Sequence, residues 1–228
     1  GRYVGGIAGR VYKGGTVSYI KLTNLGDISG ASYVGGIFGD LYNYTDSYNN
    51  DYVMTITECS NSGKISGADY VGGLFGRVYA YNDFSSGDNT RITAKSLINT
   101  GDVSGSENYD GGTGNYVGGI FGYCYSDDFE SYVSMSNSSA NIAGNAYVGG
   151  LAGYIYGVTL KDCHNEGSTV TANGYIIDDG VYYVYLGGIA GYGTNFENCT
   201  NYVDIDYKSM GRYVGGIAGR VYKGGTVS

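Results

Sequence analysis

The stretch "YVGGIAGRVYKGG" at residues 3–15 recurs without change at residues 213–225. The identity is wider, because all of residues 1–18 return as residues 211–228. Variants of its first seven residues, Tyr-(Val/Leu)-Gly-Gly-(Ile/Leu)-(Ala/Phe)-Gly, occur seven times. Such a chain is an array of repeats, and the repeat decides the fold. The motif copies begin at Tyr3, Tyr33, Tyr70, Tyr116, Tyr147, Tyr185 and Tyr213.

The spacing between successive motif copies is irregular, at 30, 37, 46, 31, 38 and 28 residues, 210 in total. A constant motif with variable spacing is typical of a solenoid, in which each repeat forms one coil and insertions leave as loops. We therefore predict an all-β parallel β-solenoid of about six coils per 210-residue unit, with loops inserted between coils. Residues 1–210 would form one unit, with coils starting near residues 3, 33, 70, 116, 147 and 185, and residues 211–228 would start the next identical unit.

The composition favours strands and tight bends. The 228 residues include 43 Gly and 28 Tyr, but no Pro, which suits uninterrupted hydrogen-bond ladders. No apolar pattern with a period of 3.6 residues is sustained, so we expect almost no helix. Gly does not recur at every third position, which excludes collagen, and a hydrophobic content of 42% argues against disorder.

Charge and hydropathy exclude several function classes. The net charge is −8 and the basic residues are scattered, which argues against nucleic-acid binding. No apolar run reaches the length of a membrane span. The chain begins with Gly, so we expect it to be part of a longer protein and infer nothing from the lack of a signal peptide.

Fixed offsets from the motif predict which side chains point inward. The second residue after the last motif Gly is mostly aliphatic, and strand alternation places Ile7 and its equivalents on the same side. A second phrase, such as "TNLGDISG" or "SNSGKISG", supplies another inward stack. The two stacks are Val11, Leu41, Val78, Cys124, Ile155, Gly193 and Val221, and Ile28, Ile65, Val103, Ile142, Val170 and Ile205.

An outward ladder of tyrosines is predicted one position further along. Stacked aromatic neighbours on adjacent strands stabilise a sheet by roughly 0.2–1 kcal/mol each. Beside this ladder lie Arg10, Asp40 and Arg77, which we expect to be exposed ion pairs of little energetic weight. The ladder comprises Tyr12, Tyr42, Tyr79, Tyr125, Tyr156, Thr194 and Tyr222.

Glycine and asparagine recur at positions that suggest structural roles. Gly5 and Gly6 are expected to form a bend or bulge that resets the strand phase. The recurrent Asn of the second phrase predicts a side-chain ladder at a corner, in preference to a set of ligand groups. The last motif glycine is expected in a crowded place, at Gly9, Gly39, Gly76, Gly122, Gly153, Gly191 and Gly219, and the ladder asparagines are Asn24, Asn61, Asn99, Asn165 and Asn201.

The two phrases together resemble the GLUG-motif repeats of bacterial cell-surface proteins. The matching residues are the "VGGLFG"-type phrase and the preceding Asn-x-Gly-x-(Ile/Val)-x-Gly phrase. The resemblance covers nearly the whole chain, in six copies and a partial seventh. It implies a repeat architecture on an extracellular or cell-surface protein, but such repeats are attached to many different proteins and indicate no activity.

The cysteines and the single histidine are interpreted as structural. Each of the four cysteines occupies a position that other repeats fill with an aliphatic or small residue, which predicts buried thiols. Cys163 and Cys199 lie on consecutive coils, about 4.8 Å apart if the registers match, so a disulfide between them is the alternative. A zinc site lacks paired Cys-x-x-Cys spacing. His164 is expected to be exposed and not catalytic.

Acidic loops and glycosylation sequons are weaker candidates. The loops could hold calcium, although solvated loops are the default interpretation. Three Asn-x-Ser/Thr sequons could carry glycans, with Asn43 expected to be the most accessible, or could be accidental in so polar a chain. The calcium candidates are Asp46, Asp51, Asp83, Asp88, Asp127, Asp128, Asp178 and Asp179, and the sequon asparagines are Asn43, Asn137 and Asn198.

These patterns predict the structural shaft of an extracellular fibre or surface adhesin. Its partner would be itself, as covalently continuous or end-to-end stacked copies, because open end coils expose unpaired strands. The alternative is an adhesin module that binds glycans or a host through Tyr- and Asp-rich loops. Catalysis is disfavoured because no face gathers Asp, Arg and Lys, and we assign no catalytic residue, cofactor or metal.

Overall fold

The computed structural model describes residues 1–45, 52–82, 90–106, 115–167, 169–178, 181–208 and 212–228. These residues form strands and turns, with no helix among them. We call the stretch from one motif Tyr to the next a coil. Strands of one coil pair in parallel with the equivalent strands of the next, which confirms an all-β, β-helix-like fold of parallel sheets. The division into six-coil units of 210 residues stays a prediction.

The motif sheet contains one strand from every copy of the motif. Its seven strands lie in chain order, and its register aligns Val4 with Val34 and Val34 with Val71. The motif copies therefore set the pairing between coils. The strands are β1 (Val4–Gly5), β6 (Ser32–Gly35), β11 (Asp69–Gly72), β16 (Tyr116–Gly118), β21 (Tyr147–Gly149), β28 (Tyr185–Gly187) and β32 (Val214–Gly215).

The broad sheet follows the motif and contains two rows of strands joined through β29. Its first row is β2 (Ala8–Lys13), β7 (Phe38–Thr45), β12 (Phe75–Asn82), β17 (Phe121–Ser126), β22 (Ala152–Tyr156), β29 (Ala190–Glu197) and β33 (Ala218–Val227). Its second row is β3 (Val17–Ile20), β8 (Tyr52–Thr57), β13 (Thr90–Lys95), β18 (Ser131–Ser134) and β23 (Val158–Lys161).

The remaining strands of the coils form two six-stranded parallel sheets, and each of the six coils contributes one strand to each sheet. The asparagine sheet is β4 (Thr23–Asn24), β9 (Ser60–Asn61), β14 (Ile98–Asn99), β19 (Asn137–Ser138), β24 (His164–Asn165) and β30 (Thr200–Asn201). The fourth sheet is β5 (Ile28–Ser29), β10 (Ile65–Gly67), β15 (Val103–Gly105), β20 (Ile142–Gly144), β25 (Thr169–Ala172) and β31 (Asp204–Tyr207). An antiparallel hairpin, β26 (Ile176–Asp178) and β27 (Val181–Tyr183), projects between β25 and β28.

The interior holds two separate apolar clusters. The larger joins motif residues such as Ile37 to inward residues of the broad sheet such as Leu41, and the smaller joins Val34 to the second-phrase stack that includes Ile65. Both predicted stacks are therefore inside. Gly193 interrupts the aliphatic stack, and the ring of Phe196 fills the space that a side chain there would need.

Every coil turns into the asparagine sheet on a non-glycine residue with positive φ. Left-handed backbone is costly for most side chains, by roughly 1–2 kcal/mol, and Asn and Asp tolerate it best. Only two of the six corner residues are Asn or Asp, so the paired strands on both sides hold the others in place. The corner residues are Lys21, Glu58, Ser96, Met135, Asp162 and Asn198, with φ between 48° and 56°.

Candidate functional site

The outer surface beside the motif carries the densest array of chemically distinctive side chains, in three parallel columns. The first is the motif tyrosine column, in which successive rings stack with centroids 4.6–5.2 Å apart and interplanar angles of 5–28°. The parallel register places each ring beside its equivalent in the next coil. Its members are Tyr3, Tyr33, Tyr70, Tyr116, Tyr147, Tyr185 and Tyr213.

The outer tyrosine column is the ladder that the sequence predicts. From Tyr12 to Tyr156 its rings stack at 4.8–5.5 Å. Thr194 interrupts the column, and Tyr222 meets Tyr156 across the gap edge-on, at 5.1 Å and 85°. The ladder is therefore continuous over five coils and changes geometry at the sixth.

A mixed column lies between these two, and sequence analysis recognised only its charged end. It contains Tyr123, Tyr154 and Tyr192, whose rings stack at 4.8 Å and meet the motif tyrosines edge-to-face. The sequence does contain a signal for these tyrosines, because each of them directly follows the last glycine of its motif copy. The full column is Arg10, Asp40, Arg77, Tyr123, Tyr154, Tyr192 and Arg220.

The charged end of the mixed column is a triad around a buried carboxylate. The expectation of exposed ion pairs is therefore wrong for Asp40 and for the largely covered Arg77, but it holds for Arg10, whose side chain is 43% exposed. The Asp40 side chain has no solvent exposure. Arg77 donates to both its oxygens, from Nε at 2.8 Å and Nη2 at 3.0 Å, and Arg10 Nε lies 3.1 Å from Oδ2. Tyrosine rings cover the triad, with Arg77 4.8 Å from the centroid of Tyr33. Burial opposes the charge of Arg77, but the hydrogen bond and charge of Asp40 outweigh it and raise the pKa of Arg77.

The tyrosine columns form a neutral and self-stacked surface. Burial, followed by the nearby Asp69 and Tyr33, raises the pKa of Tyr70 to about 12, so this phenol keeps its proton at neutral pH. Burial likewise raises the pKa of Tyr116, Tyr123 and Tyr147. Each inner ring covers the faces of its neighbours, which leaves ring edges and hydroxyl groups toward solvent. Such a surface stabilises the stack, but its inner rings offer no open face to a sugar or a cation.

The asparagine column lies inside the molecule and links consecutive coils. Asn24 Nδ2 donates to Asn61 Oδ1 at 2.6 Å, and Asn61 Nδ2 donates to Asn99 Oδ1 at 2.7 Å. Each Nδ2 also donates to the carbonyl two residues ahead in the same turn. Ser138 interrupts the column, which resumes with Asn165 donating to Asn201 at 3.1 Å.

This column explains the second glycine of the motif. A Cβ on Gly36 would lie 2.6 Å from Asn61 Oδ1 of the same coil. The equivalent clash recurs at Gly6 with Asn24, and the Asn165 amide donates to the Gly188 carbonyl at 2.8 Å. The two sequence phrases therefore meet in space, and the bare backbone of one accommodates the amide of the other.

The acidic loop candidates do not assemble a metal site in the described residues, where no three His, Cys, Asp or Glu side chains are grouped so that they could hold a metal ion. Asp128 is nearly buried, pairs with Arg91 at 3.1 Å and accepts the amide of Glu130. Asp127 accepts the amide of Thr90 at 3.4 Å. Asp46, Asp51, Asp83, Asp88 and Asp179 lie outside the described residues, as does the side chain of Asp178.

The sequon asparagines differ in accessibility, and the expectation for Asn43 is wrong. Asn43 is 1% exposed, because its side chain points inward from β7 and donates to the Gly15 carbonyl at 3.1 Å. Asn137 is half-buried in β19. Asn198 is exposed at a left-handed corner, and its amide donates to Asp162 at 2.6 Å.

The four thiols and the histidine differ in how far they are buried. Cys59, Cys124 and Cys163 are buried, and Cys199 is half-buried. None of the four is in a disulfide. His164 is half-buried and lies beside Tyr202, with ring centroids 6.3 Å apart.

Comparison with known proteins identifies one of these coils. The family model "The GLUG motif" matches residues 144–171, from the end of β20 into β25. This stretch is similar to the GLUG motif. It runs from the fourth sheet through the motif sheet, both rows of the broad sheet and the asparagine sheet back to the fourth sheet, and it includes Tyr147, Tyr154 and Asn165. The matched stretch therefore corresponds to about one turn of the chain. The match confirms the resemblance drawn from the sequence.

The fold has a counterpart among solved structures, whereas no curated protein matches the sequence. The crystal structure of "a putative immunoglobulin A1 protease from Bacteroides ovatus" superimposes with a TM-score of 0.56 and 21% identity. The alignment covers 85% of this chain and 53% of that one, so the GLUG-containing chain spans about half the length of this relative. At this identity the likeness is one of fold. Within the described residues, no helix is long and apolar enough to cross a membrane.

Proposed function

We propose that this chain is the shaft of an extracellular fibre or surface adhesin, with a mechanical and not a catalytic function. The observation that carries the proposal is the continuity of its side-chain columns. Tyr3 to Tyr213 form one uninterrupted stack, parallel to the asparagine column and the two apolar clusters. Each coil is thus fastened to the next by backbone hydrogen bonds, apolar contacts and stacked rings.

This construction suits a load-bearing element. Neighbouring coils contact each other along four sheets, so bending the stack must disturb all four ladders. Stability in such a repeat protein grows with each added coil, because it is a sum of coil and interface contributions. Between the first and last coils, the described strands of the parallel sheets pair on both sides, which leaves a protease little extended backbone to bind there.

An extracellular or cell-surface location is supported by the GLUG motif at residues 144–171 and by the bacterial structural counterpart. Self-association, through continuous or end-to-end stacked units of six coils, would extend the columns past one 210-residue unit. We do not extend the proposal to glycan binding, because the inner tyrosine rings cover one another and most of the loop residues lie outside the described structure.

The decisive experiment is diffraction, or the power spectrum of micrographs, from the native full-length protein. Parallel strands stack at about 4.7–4.9 Å, so six coils should advance about 29 Å along the axis. We expect a strong axial reflection near 4.8 Å and a weaker period near 29 Å. A compact particle without either spacing would overturn the shaft, and a period near twice the expected one would overturn the count of one coil per motif.

A further inference from the structure

One interior corner column brings two thiols onto consecutive coils. The column lies at the corner where each coil leaves the second row of the broad sheet and enters the asparagine sheet. Its other positions are occupied by Leu and Ser. Cys59 lies between two leucines, whereas Cys163 and Cys199 are direct neighbours. The complete column is Leu22, Cys59, Leu97, Ser136, Cys163 and Cys199.

The register fixes the relation of these two cysteines. β24 pairs with β30 so that His164 lies opposite Thr200, and the Thr200 amide donates to the Cys163 carbonyl at 2.9 Å. Adjacent strands lie about 4.8 Å apart, within the Cα separations of 4.4–6.8 Å found in disulfides. Both side chains point inward, because Cys163 belongs to the larger apolar cluster and Cys199 packs against it.

The two thiols are not equivalent. Cys163 is fully buried, while Cys199 is partly open to solvent. The neighbouring Cys163 thiol lowers the pKa of the Cys199 thiol, whereas Cys199 together with burial raises the pKa of Cys163. Cys199 is thus the thiol that an external reagent can reach and that more readily forms the thiolate, which is the nucleophile.

We propose that Cys163 and Cys199 form a reversible disulfide that staples two consecutive coils. The oxidant is a small-molecule disulfide. The Cys199 thiolate attacks one of its sulfurs, forms a mixed disulfide and releases one thiolate. Cys163 then attacks Cys199 Sγ, its proton passes to the second departing thiolate, and the intramolecular S–S bond forms. The protein loses two electrons and two protons, and the reagent is reduced to two thiols.

The staple would close a part of the structure that contains two irregular features. Between the two cysteines lie the end of the GLUG motif and the hairpin β26–β27. The asparagine column is interrupted at Ser138, in the coil before the one that contains Cys163. The coil of Cys163 therefore lacks the interior amide bond to its preceding coil that Asn61 and Asn99 make between theirs. A disulfide there would secure the coil that carries the hairpin, and this inference is independent of the proposed shaft.

The test uses the native full-length protein, treated with oxidised glutathione and analysed by peptide mass spectrometry after alkylation. We expect a cross-linked peptide pair containing Cys163 and Cys199, lighter by two hydrogen atoms, and its loss after reduction. Cys59→Ser is the matched control from the same column and should retain the cross-link. Cys163→Ser should instead trap glutathione on Cys199.

Two results would overturn the proposal. One is a folded wild-type protein in which Cys163 and Cys199 stay reduced under conditions that join them after denaturation. The other is oxidation of Cys59 or Cys124 at the same rate, which would mean that the thiols react through unfolding. The wild-type measurement stands even if a serine variant fails to fold. Oxidised wild type should also unfold at a higher temperature than the reduced protein, and Cys163→Ser should show no such difference.

Discussion

At the scale of the residue, the last motif glycine is required by the backbone of the neighbouring coil. A Cβ on Gly76 would lie 2.5 Å from Gly39 O, 2.6 Å from Val34 N and 2.7 Å from Tyr33 C. All three are backbone atoms in paired strands, so none can move aside without breaking a ladder. Repetition in the sequence predicts the glycine, but the crowding comes from the main chain and not from packed side chains.

Gly76→Ala should therefore be strongly destabilising, by about 2–5 kcal/mol, because the added methyl group overpacks a rigid site. The midpoint of denaturant unfolding measures this loss. Gly26→Ala is the matched control, since its Cβ would lie 4.0 Å from the nearest atom, Asn24 Oδ1. Equal stability of the two variants would show that the stack can open locally.

Asp69 makes stability depend on pH. Burial raises the pKa of Asp69 to about 7, although backbone amides of Tyr70 and Tyr116 oppose the shift. The folded protein thus holds this proton more tightly than the unfolded chain, whose aspartates titrate near pH 4. The resulting stabilisation is complete below about pH 4 and is lost as pH rises through about 7.

Asp69→Asn should abolish this loss, so the variant should gain more stability over wild type at pH 8 than at pH 4. Denaturant midpoints at the two pH values provide the comparison. Ser32→Asn, at the equivalent place in the neighbouring coil, introduces the same amide without removing a carboxyl group and should show no pH-dependent gain. A constant difference for Asp69→Asn would contradict the predicted protonation.

At the scale of the element, the same position of the mixed column is filled by charged residues in some coils and by tyrosines in others. Three coils fill it with Arg10, Asp40 and Arg77, and the next three fill it with stacked tyrosines. A buried ion pair is costly to break but often replaceable by apolar groups of similar volume. The structure thus contains its own replacement for the triad.

Asp40→Ala should cost about 3–5 kcal/mol, because it leaves two guanidinium groups facing each other without a counter-charge. Replacing Arg10, Asp40 and Arg77 together by Tyr should instead retain the stability of the wild type, since it extends an existing ladder. Thermal or denaturant unfolding of both variants distinguishes the cases. A triple variant as unstable as Asp40→Ala would mean that the triad is specifically needed.

The elements also show what the sequence could and could not predict. Offsets within the repeat predict strands, inward stacks and the outer tyrosines, because these depend on local alternation. The burial of Asp40 depends on rings from adjacent coils, which a single strand does not reveal. The contact of Gly36 with Asn61 joins two phrases 25 positions apart, and the separation of the interior into two clusters follows from it. The left-handed corners, at residues such as Met135, lie three positions before the asparagine column but differ in residue type, so residue type does not predict their positive φ.

At the scale of the whole molecule, each coil contacts mainly its two neighbours, so damage should remain local. In Gly76→Ala we expect faster amide hydrogen exchange in β7, β12 and β13, with protection retained in β21 and β28. Exchange measured by mass spectrometry on proteolytic fragments separates these regions, and Gly26→Ala again serves as the control. Uniform loss of protection along the chain would show that the stack unfolds as a single cooperative unit.

The insertions leave the stack at two corners. One lies between the two rows of the broad sheet, after β7 and β12, and the other lies between the fourth sheet and the motif sheet, after β15 and β25. A gene made of near-copies is prone to slippage during replication, and most resulting length changes would shift the register of a β-protein. Here, changes at these corners leave every column aligned. Codons can therefore be gained or lost at these corners while the paired strands beneath them keep their register.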